Sequence, residues 1–302
     1  MLALAGCLAV YELHGHLPDA ASTWAVLRQA SLGWLVAAVV LQVLSMVAFA
    51  EQERRLLGAF GVAMPARTSV AVTFARSAMA TGLPGGSAVA AAYGFRQFRS
   101  RGASRSVAGT VTVLCGVASF SGLAVLYAGD AVVRAGTLVA AAITVLVPAL
   151  LVLVVRRIRR SSPPADTTSG LRRTIHETAV LAAMIPARRW LVVLALATVN
   201  WLCDLLCLLA CLHAVGLSVP VPVVGAAYLG AQLARQIPAT AGGLGVIEAG
   251  LILAMTTTGH APAAAAAAGV LTYRLMSCWA LLPVGAACWA GLRNHSTIKE
   301  NA

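Results

Sequence analysis

Five ionisable side chains lie inside otherwise apolar stretches of the chain, and their chemistry needs an explanation. They are Arg76, Asp204, Arg235, Glu248 and Arg274. A charge at the middle of a bilayer costs about 2.5–3.5 kcal/mol on insertion scales, so such residues usually pair with one another or line a substrate path. These five residues therefore predict that the protein has a polar interior within the apolar membrane.

Glu248 and Arg274 are predicted to form an ion pair. Glu248 follows the glycine cluster of IPATAGGLGVIEAG, residues 237–250. Arg274 lies about ten residues into the last apolar span, or roughly 15 Å along a helix. Both positions fall near the middle of a bilayer. Two interpretations remain open: a structural lock that fixes helix register, or part of a substrate site.

Arg76 and Arg235 each precede a glycine cluster, Arg76 by nine residues from Gly85 and Arg235 by seven from Gly242. Two guanidinium groups that converge on a polar cavity suit a phosphate-bearing substrate, because guanidinium holds phosphate by paired hydrogen bonds. The alternative is that both side chains extend to the nearest interface. We predict a substrate site composed of Arg76, Arg235, Glu248 and Arg274. Asp204 is predicted to be a polar contact between helices, with a proton or cation site as the alternative.

The elements that must position these residues are transmembrane helices. The chain has 302 residues, of which 60% are hydrophobic and 11% charged. Apolar runs of about 18 residues indicate membrane spans, and lipid requires each span to close its own hydrogen bonds as a helix. We therefore predict one all-α, polytopic membrane domain over residues 1–302. Spans are expected near 30–50, 107–127, 135–155, 190–213 and 264–292, and two further stretches, near 69–94 and 222–258, are broken by glycine.

The basic residues predict the orientation of the chain. Lys and Arg outnumber Asp and Glu by 22 to 10, and 17 of the 22 lie in four segments, namely 51–68, 95–106, 156–189 and 293–302. Loops rich in Lys and Arg stay in the cytoplasm, so we predict a multi-pass protein of the cell membrane with a basic cytoplasmic loop at 156–189 and a cytoplasmic C-terminus. This distribution favours anionic inner-leaflet lipid as a partner over nucleic acid.

An internal repeat relates the two halves of the chain. Trp34 and Trp190 begin matching WLV triplets, GVAMP at Gly61 matches GLSVP at Gly216, and the two Gly-Gly pairs lie 157 residues apart. With the predicted orientation, repeat one (about 30–127) and repeat two (about 190–292) run in opposite senses if each glycine-broken segment is re-entrant. Close helix packing is the alternative role of the glycines. The predicted re-entrant tips are Pro84, Gly85, Gly86, Pro238, Gly242, Gly243 and Gly245.

These motifs resemble the transmembrane region of the lysylphosphatidylglycerol synthase family, whose members are flippase-like integral membrane proteins. The resemblance rests on Pro238, GGLGVIEAG (Gly242–Gly250), a glycine near 259, LTYRL (Leu271–Leu275), LPGG (Leu83–Gly86) and FRQFRSRGAS (Phe95–Ser104). It implies a lipid or lipid-linked substrate that moves between leaflets. It also implies that Glu248 and Arg274 match the family's glutamate and arginine positions.

The chain also departs from that family pattern. We expect none of its 302 residues to form a soluble synthase domain, so the resemblance does not predict lysine transfer to lipid. An asparagine common in relatives is absent from 78–80, and a carboxylate common after the first glycine cluster is absent from 87–89. The first half-site is therefore expected to differ from that of its relatives.

Three classes of function remain open. A flippase or transporter for a membrane phospholipid or lipid-linked substrate is favoured. A membrane enzyme is ranked low, because the histidines do not cluster with acids as nucleophilic or metal catalysis requires. A non-transporting subunit with an unknown membrane protein partner is the third. We expect no cofactor and no metal, and the absence of a P-loop argues against ATP hydrolysis by this chain.

Overall fold

The computed structural model describes residues 20–83, 85–135, 178–235 and 245–300. These residues form helices and contain no strand, which confirms the all-α prediction for the described part of the chain. The labelled helices are α1 (Ala20–Arg28), α2 (Leu32–Ala59), α3 (Ala66–Gly82), α4 (Gly86–Arg99), α5 (Arg105–Ala135), α6 (Ala187–Ala214), α7 (Val221–Arg235), α8 (Val246–Thr257), α9 (Ala263–Arg274) and α10 (Leu281–Glu300). Residues 178–184 are also helical. A π-helical turn, Leu275–Trp279, joins α9 to α10.

Within the described ranges, four helical segments are long and apolar enough to cross a bilayer: Leu32–Ala59, Arg105–Asp130, Ala187–Ala214 and Ala263–Arg293. They coincide with four of the predicted spans, and the fifth, near 135–155, lies outside the described residues. One boundary differs from the prediction. Helix α2 continues past residue 50 to Ala59, because Leu56 and Leu57 on its last turns are fully buried.

Helix α2 shows how these spans meet their surroundings. Its buried face carries polar residues, Gln42, Ser45 and Gln52. Its opposite face exposes the large apolar side chains Val36, Val40, Val43, Leu44 and Val47. A contiguous exposed apolar surface of this kind is rare on soluble proteins, whereas lipid solvates it without cost. The apolar face of α2 is therefore suited to contact lipid, and its polar face is suited to contact other parts of the protein.

Both glycine-broken stretches are divided into two helices each. Helix α3 ends at Gly82 and α4 begins at Gly86, with Gly85 at a φ of 63° between them. The described part of α7 ends at Arg235, and α8 begins at Val246 after Gly245, whose φ is 85°. The remaining predicted tip residues lie outside the described residues: Pro84, Pro238, Gly242 and Gly243.

Helix lengths and helix ends match between the two predicted repeats. Helices α2 and α6 both contain 28 residues, and their starts and ends are 155 residues apart. Each is followed by a glycine in the left-handed region, Gly61 at 75° and Gly216 at 74°. In both, the next N–H reaches back to the helix, from Val62 to Leu57 O and from Leu217 to Leu212 O. A left-handed glycine with this backward bond is a common helix terminator, so the two halves end their long helices by the same device.

Contacts divide the chain into two compact units. The first contains the described residues up to Leu44, the segment Ala78–Gly86 and the segment Cys203–Pro283. Within it, α8 packs against both α7 and α9, and α9 also packs against α1. The two described helices of the second broken stretch, α7 and α8, therefore pack against each other within this unit.

The second unit contains Ser45–Ser77, Ser87–Leu202 and the described residues from Val284 onward. Its core is an apolar cluster that includes Leu56, Phe98 and Val111. Helices α5 and α6 approach closely at Gly122, where an added Cβ would lie 2.7 Å from the carbonyl carbon of Ala197. This glycine is needed because the two backbones leave no space for a side chain.

Candidate functional site

Glu248 lies in the first turn of α8, immediately after the second glycine cluster. One of its carboxylate oxygens, Oε2, accepts a hydrogen bond of 2.7 Å from the backbone N–H of Gly245. The first N–H groups of a helix have no partner within the helix, and a glutamate at this position supplies one. The carboxylate also interacts favourably with the positive end of the helix dipole. Local helix chemistry therefore accounts for one of the two oxygens of Glu248.

The other oxygen of Glu248 binds Arg274. The Arg274 Nε–H donates to Glu248 Oε1 at 2.5 Å, across the packed helices α8 and α9. The Arg274 side chain is 1% exposed and that of Glu248 is 15% exposed. The predicted pairing of these two residues is therefore confirmed. Arg274 is also the last residue of α9, directly before the π-helical turn.

Asp204 on α6 is the acceptor at the centre of a second buried polar cluster in the first unit. Its Oδ2 accepts hydrogen bonds from the Tyr228 hydroxyl at 2.7 Å, the Tyr273 hydroxyl at 3.0 Å and Gln232 Nε2 at 3.3 Å. These donors come from α7 and α9, so one carboxylate joins three helices. The prediction that Asp204 is a polar contact between helices is confirmed. Because Tyr273 precedes Arg274, this cluster also anchors the helix segment that carries the arginine.

Arg76 lies in the second unit and binds groups that were not predicted. Its Nη1 donates to Glu53 Oε1, and its Nε donates to the backbone oxygen of Ala90 at 3.1 Å. Glu53 is fully buried and Arg76 is 14% exposed. Arg76 therefore links α2, α3 and α4, and joins the two helices of the first broken stretch. Its predicted convergence with Arg235 stays a prediction, because the side chain of Arg235 lies outside the described residues.

Glu53 is one of several buried polar residues in the second unit with an atom that lacks a hydrogen-bond partner among the described residues. Its second oxygen, Oε2, has no hydrogen-bond partner among the described residues, and neither has the buried Thr73 hydroxyl. The adjacent Gln52 donates to the backbone oxygen of Cys115 at 3.1 Å, while its own oxygen is unsatisfied there. Leaving buried polar atoms without partners costs about 1–3 kcal/mol each. Buried polar atoms without protein partners usually contact water or another polar group.

Sequence reasoning missed Glu53, Tyr228, Gln232 and Tyr273 as members of these clusters. Glu53 was assigned to the cytoplasmic segment 51–68, although it lies three and four residues before the buried Leu56 and Leu57. That spacing puts it on their helix face. Tyr228 and Gln232, four residues apart, also share one helix face. Helical periodicity therefore indicates which residues share a helix face. The hydrogen-bond partner of each side chain depends on how the helices pack, which the sequence does not show.

These features together define a class of protein. The described part of the chain is all-helical and has four helices able to cross a bilayer. Buried ion pairs involve residues of both glycine-broken stretches. These features identify an integral membrane protein. The profile of the family described as "Lysylphosphatidylglycerol synthase TM region" matches residues 4–285, and the chain belongs to that family. The resemblance inferred from the motifs is confirmed. Among curated proteins, none matches the chain.

Proposed function

We propose that this protein is flippase-like and translocates an anionic lipid or a lipid-linked headgroup between the leaflets of the cell membrane. The observation that carries the proposal is the buried Glu248–Arg274 pair at the start of α8. It lies at a helix end beside a glycine-rich break, where a membrane protein tolerates irregular backbone only if it is buried in protein or lines a watery cavity. Membership of the family supports the same function.

The pair has the chemistry that a phosphate-bearing substrate needs. Arginine presents a planar fork of donors that matches phosphate oxygens, and it keeps its charge when buried. A substrate phosphate competes with the Glu248 carboxylate for the Arg274 guanidinium. Substrate binding then breaks the Glu248–Arg274 pair, and substrate release restores it. The π-helical turn that follows Arg274 supports this role, because π-bulges occur frequently at functional sites.

The packing of α2 against α6 supports an inverted relationship between the repeats. In the first unit the residue before α2, Ser31, donates its N–H to Ala214 O at the end of α6. In the second unit Arg189, near the start of α6, contacts Gly58 O near the end of α2. Both contacts join the start of one helix to the end of the other, as in antiparallel packing. Because α2 and α6 are equivalent in the two repeats, antiparallel packing means that the repeats run in opposite directions.

One contact lies close to the proposed twofold axis between these helices. The Ser45 hydroxyl donates to Asn200 Oδ1 at 2.9 Å, and the two residues are 155 positions apart, which is the offset of the repeat. A contact between equivalent residues is expected where a twofold axis passes between equivalent helices. Inverted repeats with broken helices near the midplane are a transporter architecture, which is why we extend it to both glycine-broken stretches as re-entrant hairpins.

The remaining site residues and the orientation belong to the same proposal. Arg76 and Arg235 act as additional cationic contacts for the substrate, and the basic segments lie on the cytoplasmic side with the C-terminus. The proposal assigns binding and movement of lipid to this chain, without a chemical step, a metal or a cofactor.

A stability-matched variant separates a binding role of the ion pair from a structural one. Wild type, Arg274→Ala and the double variant Glu248→Gln/Arg274→Met would be reconstituted in vesicles with headgroup-labelled phosphatidylglycerol. Replacing both charges removes the cost of an unpaired buried ion, so the double variant is expected to fold and yet to lose flipping. Arg67→Ala, at an exposed arginine, is the control that keeps wild-type flipping. A folded double variant that flips like wild type would show that the pair is a structural lock only.

A further inference from the structure

A second concentration of positive charge lies at the end of α2 and the start of α6, inside the second unit. A cavity of about 450 Å³ is lined there by Arg54, Arg55, Gly58, Arg188, Arg189 and Val192. We call it the arginine cavity. Its volume lies within the range of small-molecule pockets in proteins. None of these residues belongs to the site of Glu248 and Arg274.

The charges around the arginine cavity are only partly neutralised. Arg54 and Arg55 both donate to Glu51, at 2.6–2.7 Å and 2.6 Å. Arg189 donates to the Gly58 carbonyl at 3.4 Å, and no described carboxylate pairs with Arg188 or Arg189. Among the described residues, Glu51 is therefore the one carboxylate that pairs with any of the four arginines lining the cavity. Like charges held close together are unfavourable, so an anion between them relieves their repulsion.

The local backbone adds to this preference for an anion. Arg188 and Arg189 lie in the first turn of α6, which begins at Ala187. The first N–H groups and the dipole at a helix start favour negative charge, and phosphate is one of the anions that such starts bind. The guanidinium fork matches phosphate oxygens in pairs, which a diffuse positive surface does not provide.

From this arrangement we infer that the arginine cavity is a binding site for a phosphate group, either on an anionic phospholipid or free in solution. The site is independent of the translocation proposal, because none of the residues that line it belongs to the proposed translocation site. Two apolar residues that flank these arginines in sequence, Met184 and Leu191, are 72% and 67% exposed. Exposed apolar groups beside a phosphate site suit acyl chains, so we expect the lipid-borne phosphate to bind more tightly.

The test compares charge removal inside and outside the arginine cavity. Binding of short-chain dihexanoyl-phosphatidylglycerol and of inorganic phosphate to the purified full chain would be measured by calorimetry in a zwitterionic detergent. Arg188→Gln/Arg189→Gln removes two charges from the cavity. Arg67→Gln/Arg105→Gln removes two charges from exposed arginines elsewhere and is the matched control. We expect the cavity variant to lose about tenfold or more in affinity, as the loss of even one charge-assisted hydrogen bond implies, and the control to change by less than about twofold.

The outcomes of this test separate the two phosphate sources. A loss of affinity for both ligands assigns the site to phosphate itself, and a loss confined to the lipid assigns it to a lipid headgroup. Val192→Trp fills the cavity without a change of charge and is expected to weaken binding by about the same factor. Equal losses in the cavity and control variants, with unchanged binding by Val192→Trp, would overturn the inference. Flipping by the wild type is measured separately, so failure here leaves the proposed function intact.

Discussion

At the scale of single residues, the carboxylates of Glu248 and Asp204 hold the first unit together in different ways. Glu248 divides its oxygens between a helix start and a guanidinium group. Asp204 collects three donors from two other helices on one oxygen. Hydrogen bonds to charged groups contribute about 1.5–3 kcal/mol each, which makes both residues targets for mutation.

Breaking the Glu248–Arg274 pair from one side is expected to cost more than removing it. Arg274→Met leaves the Glu248 carboxylate in a largely buried position without its cation, at a cost of about 3–5 kcal/mol. Glu248→Gln/Arg274→Met removes both charges and is expected to recover most of that loss, because glutamine keeps an oxygen for the Gly245 N–H. The measurement is the free energy of unfolding in mixed detergent micelles. A double variant less stable than Arg274→Met would contradict the coupling.

Asp204 is expected to tolerate an amide better than a methyl group. Asp204→Asn keeps an acceptor for the two tyrosine hydroxyls, whereas Asp204→Ala removes the acceptor from three buried donors at about 1–3 kcal/mol for each donor left unsatisfied. We therefore expect the midpoint of thermal unfolding in detergent to fall in the order wild type, Asn, Ala. Tyr228→Phe, which removes one donor, is the control and should resemble Asn. Equal midpoints for Asn and Ala would show that this network does not stabilise the fold.

The residue scale also shows how far sequence reasoning reaches. It could select Glu248, Arg274 and Asp204, because a charge in an apolar run is visible without a structure. It could not find Glu53 as the partner of Arg76, because Glu53 follows an apolar run in a charged segment, EQERR, that also marks a cytoplasmic loop. Glu53 lies buried on a helix and not in a loop because α2 continues to Ala59. That continuation depends on the packing of Leu56 and Leu57.

At the scale of elements, the long helices depend on backbone contacts that only glycine allows. Gly122 on α5 faces the backbone of α6 at Ala197 and Thr198. Small residues at such crossings are the usual means of close packing between membrane helices. Gly116, two turns earlier on the same helix, has open space where a Cβ would lie.

Gly122→Ala is expected to destabilise the protein and Gly116→Ala to stabilise it or leave it unchanged. The methyl group at 122 must separate α5 from α6, and overpacking of this kind costs about 1–3 kcal/mol. At 116 the methyl group meets no atom, and alanine is the better helix former by up to about 1 kcal/mol. Unfolding of both variants in mixed micelles tests this, and the same loss for both would show that α5 and α6 do not pack at Gly122.

Helix existence was predictable from hydropathy because lipid demands long apolar helices. Helix ends were less predictable. The pattern GVAMP and GLSVP located the glycines that terminate α2 and α6, but periodicity alone did not place the last turns of α2. The breaks in the two glycine-rich stretches followed from proline and glycine, which cannot continue a helix without cost.

At the scale of the whole molecule, the proposed inverted architecture predicts which loops share a side of the membrane. Four exposed residues at the outer ends of the broken stretches are suitable for replacement by single cysteines: Ala66, Ser100, Ser218 and Thr258. On a background without native cysteines, Ala66→Cys and Ser100→Cys should react with a membrane-impermeant thiol reagent from the cytoplasmic side only. Ser218→Cys and Thr258→Cys should react from the opposite side only. Labelling of Ala66→Cys and Ser100→Cys from different sides would show that the first stretch crosses the membrane.

The measurement that tests the central claim most directly is the movement of labelled anionic lipid in vesicles containing the wild-type protein. Fluorescent phosphatidylglycerol is placed in both leaflets, and dithionite destroys the label that is exposed outside. If the protein translocates this lipid, the destroyed fraction will rise beyond the outer-leaflet share, and more so than for a zwitterionic lipid with the same label. A fraction that stays at the outer-leaflet share, as in protein-free vesicles, would contradict translocation of this lipid by the chain alone.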